Sequence, residues 1–376
     1  MRGGPTGNAA DMRNGSQSHV AVVTGASGGV GRATARAFAV EGFDVALLAR
    51  GRAGLDGAVR DVEAAGRRAL ALPVDVAEWC EVDRAASRIE AELGPIDVWV
   101  NDAMTTVFER VADIDPDDFE RAVRVTFFGQ VWGTRAALAR MRTRDRGAIV
   151  NVGSALAFIG IPLQAPYCAA KFACRGFFEA LRAELIEEHS HVRLSMVHLP
   201  AVNTPQFDWC KTNLERHPKP VPPIYQPELA ADRIVSCALD GRREKTLGAW
   251  NRLVVVAAST APGVANHFAA ITGTQSQLSD QPVRSDRPVN LRAPADDERD
   301  FGAHGIFDDC AHGVRDPQFL RSLPKTARQL GTAIVDDLRE QATTRRAELR
   351  IALQRRAARR RGGLRRSVLQ GPLGDV

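Results

Sequence analysis

Two rhythms of apolar positions take turns along this chain. Short, nearly continuous apolar runs at His19–Thr24, Phe43–Ala49, Arg68–Val74 and Ile96–Asn101 read as strands. Between them, Gly29–Glu41, Ala53–Ala65 and Glu78–Leu93 place apolar residues at helical spacing, as Val30, Ala33, Ala37 and Phe38 do in the first. The alternation continues through a long helix at Arg121–Met141, where Val123, Phe127 and Val131 recur at i+4, and a strand at Gly147–Gly153. A second long helix at Ala165–Glu188, a sixth strand at Val192–Leu199 and a helix at Glu228–Leu239 follow. Thr204–His217 reads as an irregular or helical excursion, closed by the proline-rich break at 219–223. Thr246–Gly273 is apolar without a clear period and receives no assignment. Strands spaced by helices of this length form right-handed βαβ units, and strands apolar at most positions belong to a sheet covered on both faces. The predicted fold is α/β: a doubly wound parallel β-sheet with helices on both faces, over residues 18–275.

Composition extends this picture at the two ends. Residues 1–17 are rich in Gly, Asn and Ser without an apolar stretch, and are expected to be a disordered leader rather than a secretory signal. Residues 276–320 turn polar, with 9 acidic and 5 basic residues, and read as an acidic linker. Residues 321–376 hold 14 basic and 5 acidic residues and have helical composition, so the pI of about 9.1 belongs to this basic helical tail. Packing on the domain or a partner subunit is the favoured role for the tail, ahead of a weak contact with an anionic membrane surface. With no aromatic residue after Pro324, specific nucleic-acid binding is not expected. No stretch suits a membrane span, and the six scattered cysteines and eight histidines show no metal-site spacing. The expectation is a cytoplasmic protein, peripheral to a membrane at most, with reduced thiols and no metal.

The candidate chemistry starts where the first strand runs into Thr24, Gly25, Ala26, Ser27, Gly28, Gly29, Val30 and Gly31, with a helix immediately after. Strand, glycine turn and helix in this order form a dinucleotide-binding, Rossmann-type unit. Gly25 permits the tight turn, Gly29 lets the backbone approach a pyrophosphate, and Gly31 lets helix and strand pack closely. The second strand ends at Ala49 and is followed by Arg50, not by the acidic residue that grips a ribose 2′-hydroxyl. A guanidinium there can pair with a 2′-phosphate, which favours NADP(H) over NAD(H).

With Ser154 after the fifth strand and Tyr167, Cys168, Ala169, Ala170 and Lys171 matching Y-x-x-x-K, the chain resembles the short-chain dehydrogenase/reductase family. The resemblance covers roughly residues 18–275 and includes the T-G-x-x-x-G-x-G spacing of its single-domain members. It implies cofactor contacts from the glycine loop residues Thr24, Gly25, Ser27, Gly28, Gly29, Val30 and Gly31, and from Asp75 and Val76 after the third strand. Asn101 and Ala103 belong to the turn 101–104, which replaces the family's N-N-A-G with Asn-Asp-Ala-Met. Pro200, Val202 and Thr204 resemble the family's P-G-x-V-x-T turn. Thr126 stands where the family usually has a catalytic asparagine. The resemblance also implies that Lys171 holds the nicotinamide ribose and that the protein is a homodimer or homotetramer joined through its two long helices. Ala136, Ala137, Phe177 and Phe178 are candidate contacts for that interface.

The chemistry also follows from the residues. Tyr167 and Lys171 lie at i and i+4 and share a helix face. An ammonium nearby lowers a phenol's pKa, so Tyr167 can give a proton to a carbonyl or take one from an alcohol, while Ser154 stabilises the substrate oxygen. The reading is an NADP(H)-dependent oxidoreductase interconverting a carbonyl and a secondary alcohol. Its substrate side is expected from Ala155–Leu163, Gln206–Tyr225 and Ala103–Phe108, all rich in apolar residues, which points to a medium-sized apolar ketone or alcohol. The alternative, motivated by Thr126 and Met104, is a non-catalytic nucleotide-binding scaffold or sensor acting through the basic tail.

Overall fold

The structure, a computed structural model, describes residues 18–312. The expected leader (1–17) and basic tail (321–376) lie outside the described residues. Seven parallel strands form the central sheet: β1 (Val20–Thr24), β2 (Asp44–Ala49), β3 (Ala69–Pro73), β4 (Ile96–Asn101), β5 (Ala148–Ser154), β6 (Arg193–Leu199) and β7 (Glu244–Thr246). Their order in space is β7-β6-β5-β4-β1-β2-β3, so the chain winds outward from β1 in both directions. The crevice at that reversal, beyond the carboxyl ends of β1 and β4, is where such sheets bind ligands.

Side chains alternate across each strand and feed two cores. Ala21 and Val23 of β1 join the layer under α1 (Gly29–Val40), α2 (Arg52–Ala64) and α8 (Pro227–Asp240). Val20 and Val22 join the layer under α3 (Trp79–Glu92), α5 (Gly129–Met141) and α6 (Ala165–Glu187). Every residue of β1 and β2 is buried, which is why these strands read as continuous apolar runs.

Four features depart from the expected pattern. The first long helix starts before Arg121, as α4 (Pro116–Val123), with Asp115 capping its first amides and Pro116 opening it. It then passes through a π-helical turn at Arg124–Phe128 before α5. The seventh strand, Glu-Lys-Thr, is an edge strand of polar residues and left no apolar signature. The unassigned stretch 246–273 holds α9 (Ala249–Thr260) and α10 (Pro262–Ser276); both carry apolar residues around much of their circumference, which blurs the period. A short α7 (Gln206–Trp209) lies in the excursion after β6.

Of the expected acidic linker, residues up to 312 are described, and they lie against the domain. Leu278–Pro282 pairs with Arg216–Pro218, and Ala311–His312 pairs with Ile224–Tyr225. All six cysteines are free, and Cys168, Cys174, Cys210 and Cys237 are buried. No helix among the described residues is long and apolar enough to cross a membrane.

Candidate active site

The carboxyl end of β1 bends at Gly25, whose φ of 71° is left-handed and therefore suits glycine. Its N–H donates to Leu48 O at 2.7 Å and fixes the turn to the neighbouring strand. The Thr24 hydroxyl accepts from the N–H groups of Asp102 (3.0 Å) and Ala103 (3.1 Å), tying the ends of β1 and β4 together. Gly31 lies one helical turn on, so close to the strand that a Cβ there would stand 2.2 Å from Gly25 O. The tight turn and the close packing assigned to these glycines are thus present in the backbone.

Beside this loop lies a cavity of about 330 Å³. Ser154, at the end of β5, lines it, and its hydroxyl accepts the Leu156 N–H at 3.1 Å. Tyr167 and Lys171, from the first turns of α6, line the same wall. The Lys171 ammonium lies 5.5 Å from the centre of the Tyr167 ring. It is 2% exposed and donates to Val152 O at 2.7 Å. The strand end and the helix start therefore bring the three expected residues together. Gly25, Ser27, Gly28, Gly29, Val30 and Ala103 face this cavity as well, as do Pro200, Val202 and Thr204 on its far side.

Electrostatics differ in one respect from the sequence expectation. The Lys171 ammonium and the Ser154 hydroxyl pull the Tyr167 phenol down, but burial outweighs them and its net shift is upward. Asp102 adds to that rise; its own carboxyl, half-buried at the cavity beside Lys171 and the Gly31 N–H, is pushed up to about 7 by desolvation.

Other expected residues, Thr126, Asn101, Val76, Asp75 and Arg50, do not line the cavity. Thr126 sits in the π-helical turn, and its hydroxyl donates to Thr105 O (2.9 Å) and accepts the Thr105 N–H (3.1 Å). It does not line the cavity; it anchors the loop after β4. The Asn101 side chain accepts from Trp99 and donates to Thr134 and Asn151, so it holds the sheet rather than facing the groove. Val76 is buried in the core under α3. Asp75 pairs with Arg121 at 2.5 Å and caps the Ala77 N–H. Arg50 stands at the end of β2 as expected, and its guanidinium donates to Asn290 O, Asn290 Oδ1 and Arg292 O.

Two contributions were missed in the sequence. Gln130, one turn after Thr126, donates to Val152 O at 2.8 Å and so shares the carbonyl that holds Lys171. A buried glutamine in an apolar helix was the available signal. The cavity also takes a roof from α9 and α10, through Trp250, Val254 and Phe268. Of the expected substrate side, Leu156, Ile159, Ile161, Phe207, Trp209 and the prolines at 220–223 line the cavity, and Met104 does too. Thr105–Phe108 are buried away from it. Ala136, Ala137 and Phe178 are fully buried within the chain and cannot reach a partner subunit.

Comparison with known proteins agrees with this geometry. The family model for short chain dehydrogenase matches residues 19–213. An uncharacterized oxidoreductase, YxnA, of Bacillus subtilis is 30% identical over 71% of this chain and 75% of its own length. The 3-ketodihydrosphingosine reductase of Bos taurus is 29% identical over 61% of this chain and 71% of its own. Among solved structures, an alcohol dehydrogenase of Thermococcus sibiricus complexed with 5-hydroxy-NADP is 26% identical, with a TM-score of 0.53 over 61% of this chain and 95% of its own. A short chain dehydrogenase/reductase from Burkholderia phymatum in complex with NAD shares the fold, with a TM-score of 0.59 at 20% identity over 64% of this chain and 92% of its own. With a glycine turn, a serine at a strand end and a tyrosine–lysine pair on one helix joined at a single cavity, the chain belongs to the short-chain dehydrogenase/reductase family of NAD(P)-dependent oxidoreductases acting on CH–OH groups.

Proposed function

We propose that the protein interconverts an apolar ketone and its secondary alcohol with NADP(H). The observation that carries this reading is the convergence of Ser154, Tyr167 and Lys171 on one wall of an apolar cavity beside the glycine turn. The cradle suits a dinucleotide: Gly28 and Gly29 face the cavity without side chains, and Lys171 offers a buried cation to ribose hydroxyls. A bound nicotinamide supplies or accepts the hydride. The phenol of Tyr167 then gives its proton to the developing alkoxide, and Ser154 donates a hydrogen bond to the same oxygen. Lys171, fixed on Val152 O, keeps a positive charge beside the phenol. The substrate class is supported by the lining, most of whose surface is apolar through residues such as Leu156, Ile159, Phe207, Val254 and Phe268. A relative named for reducing a keto compound, the bovine 3-ketodihydrosphingosine reductase, supports a carbonyl substrate. The family reading also supports a homodimer or homotetramer, for which Phe128, Phe172 and Ile186 are exposed apolar residues on or beside the two long helices.

Tyr167 held above the ordinary phenol value is protonated at neutral pH, the form that reduction needs. Alcohol oxidation needs the phenolate, so its rate rises about tenfold per pH unit while the pH stays below the phenol pKa. Asp102→Asn removes a negative charge that raises this pKa. The rise in the oxidation profile is therefore expected to move to lower pH, which a pH–rate series of wild type and variant would measure. An unchanged profile would take Asp102 out of the coupling.

Cofactor choice is read from Arg50. Titration calorimetry at one salt concentration is expected to show NADPH binding more tightly than NADH. Arg50→Ala is expected to reduce that preference by about tenfold, the scale of one charge-assisted phosphate contact. Tighter binding of NADH by the wild type would overturn the NADP(H) assignment and leave the oxidoreductase in place.

A further inference from the structure

Residues 290–305 run along the stretch where the adenosine and phosphates of a dinucleotide belong. At one end, Arg50 donates to Asn290 O at 2.7 Å and to Arg292 O at 2.9 Å. Arg121, the partner of Asp75, donates to Leu291 O at 3.1 Å, and Leu291 is buried. The residue expected to meet the 2′-phosphate and the partner of the residue expected to meet the adenine thus both hold this segment.

In the middle, Asp296 fills a hollow at the amino end of α2. A Cβ on Gly51 would lie 1.9 Å from its Oδ1, and one on Gly54 would lie 2.4 Å from its Oδ2. The carboxylate is buried, and its Oδ2 has no hydrogen-bond partner. The free amides of α2 are answered by the same segment: Gly54 N–H donates to Asp296 O (3.1 Å), Ala53 N–H to Asp297 O (3.2 Å) and Arg52 N–H to Asp297 Oδ1 (3.1 Å). Helix amino ends attract anions, and here Asp296, near Arg50, and Asp297, on the Arg52 N–H, stand where a phosphate would be drawn.

At the far end the segment reaches the glycine turn. Gly29 N–H, an amide expected to face the pyrophosphate, donates to Gly302 O at 3.1 Å. Asp300 pairs with Arg32 at 3.1 Å, and Phe301 packs edge-on against Trp209. A Cβ on Gly305 would lie 2.5 Å from Thr204 O, at the turn expected to meet the nicotinamide.

We propose that residues 290–305 are an acidic internal strap that occupies the adenosine and phosphate half of the cofactor groove, so that a dinucleotide binds only by displacing it. The strap and the adenosine half need the same donors: the Arg50 guanidinium, the α2 amides and the Gly29 N–H. The cavity around Ser154, Tyr167 and Lys171 stays open beyond the strap and reaches the glycine turn, so the nicotinamide half of the groove and one side of that turn are left uncovered. The proposal rests on the cofactor reading above, with one consequence of its own: the apparent affinity is the intrinsic affinity reduced by the fraction of molecules whose strap is released.

The test uses the full chain. Hydrogen exchange is followed by mass spectrometry with saturating NADPH, with saturating NADH and with neither. Cofactor binding is titrated in parallel for wild type, for Asp296→Ala/Asp297→Ala/Asp300→Ala and for the milder Asp297→Asn. Exchange across 290–305 is expected to rise when cofactor binds. The triple variant, which loses the Asp297 and Asp300 anchors, is expected to bind about tenfold more tightly than wild type, and Asp297→Asn, which keeps an acceptor but loses the charge, by a smaller factor. Exchange separates displacement from the mere loss of repulsion between carboxylates and phosphates, because only displacement exposes the strap's amides. Exchange that falls or stays constant on binding would overturn the strap, the fall by showing a lid closed over bound cofactor. Equal affinity in all three proteins would overturn it too, whereas no binding by any would overturn the cofactor reading and the strap with it. Tighter binding of NADH with the same rise in exchange would sink only the NADP(H) assignment.

Discussion

Replacing Tyr167 with phenylalanine is expected to lower turnover about 10²–10⁴-fold, the contribution of a positioned general acid, while cofactor affinity stays within about twofold. The ring is kept, so the cavity wall and the contact with the Lys171 ammonium survive; only the hydroxyl is lost. Steady-state kinetics with a panel of apolar ketones, beside a cofactor titration, separates the two quantities. Turnover near the wild-type rate would take Tyr167 out of the reaction. A loss of cofactor affinity as large as the loss of rate would mean that the phenol positions the nucleotide instead.

Gly31→Ala is expected to weaken cofactor binding at least tenfold and to lower the melting temperature by several degrees. The added methyl would lie 2.2 Å from Gly25 O, 2.7 Å from Gly25 C and 3.0 Å from Asp102 Oδ2. The Gly25 turn cannot back away easily, because its N–H is bonded to Leu48 O within the sheet. Overpacking of this kind costs roughly 1–3 kcal/mol, which for a domain of this size is about 2–4 °C per kcal/mol. Gly176→Ala is the control: nothing lies within 4 Å of its added methyl on the exposed face of α6, so it should be neutral or stabilising by about 0.5–1 kcal/mol. Calorimetric unfolding of both variants checks the pair. Equal melting temperatures would show that the glycine turn has room that its geometry denies.

The alternation of apolar strands and amphipathic helices carried most of the architecture, because both sheet faces are buried and the strands could not avoid an apolar signature. Ser154, Tyr167 and Lys171 were legible as well, since a strand end and an i, i+4 pair on one helix are local patterns. What escaped was long-range. Glu244–Thr246 is a strand only because Met196–His198 lies beside it. The roof of the cavity comes from α9 and α10, whose apolar residues lie on several faces. Thr126 was placed correctly on its helix, but the local π turn and its bonds to Thr105 decide where its hydroxyl points. The net rise of the Tyr167 pKa depends on burial by residues distant in sequence, which a motif does not record. Arg50 could be placed at the end of β2, but its neighbours come from some 240 residues further along the chain.

That separation along the chain gives the molecule a timetable. All seven strands of the sheet are made before Asn290, and about forty residues lie between Thr246 and Asn290. At roughly 5–20 residues per second, a growing chain takes on the order of seconds to add them. During synthesis the strands that shape the groove are therefore made before residues 290–305. On the strap proposal, competition between nucleotide and residues 290–305 begins only once that segment has been made.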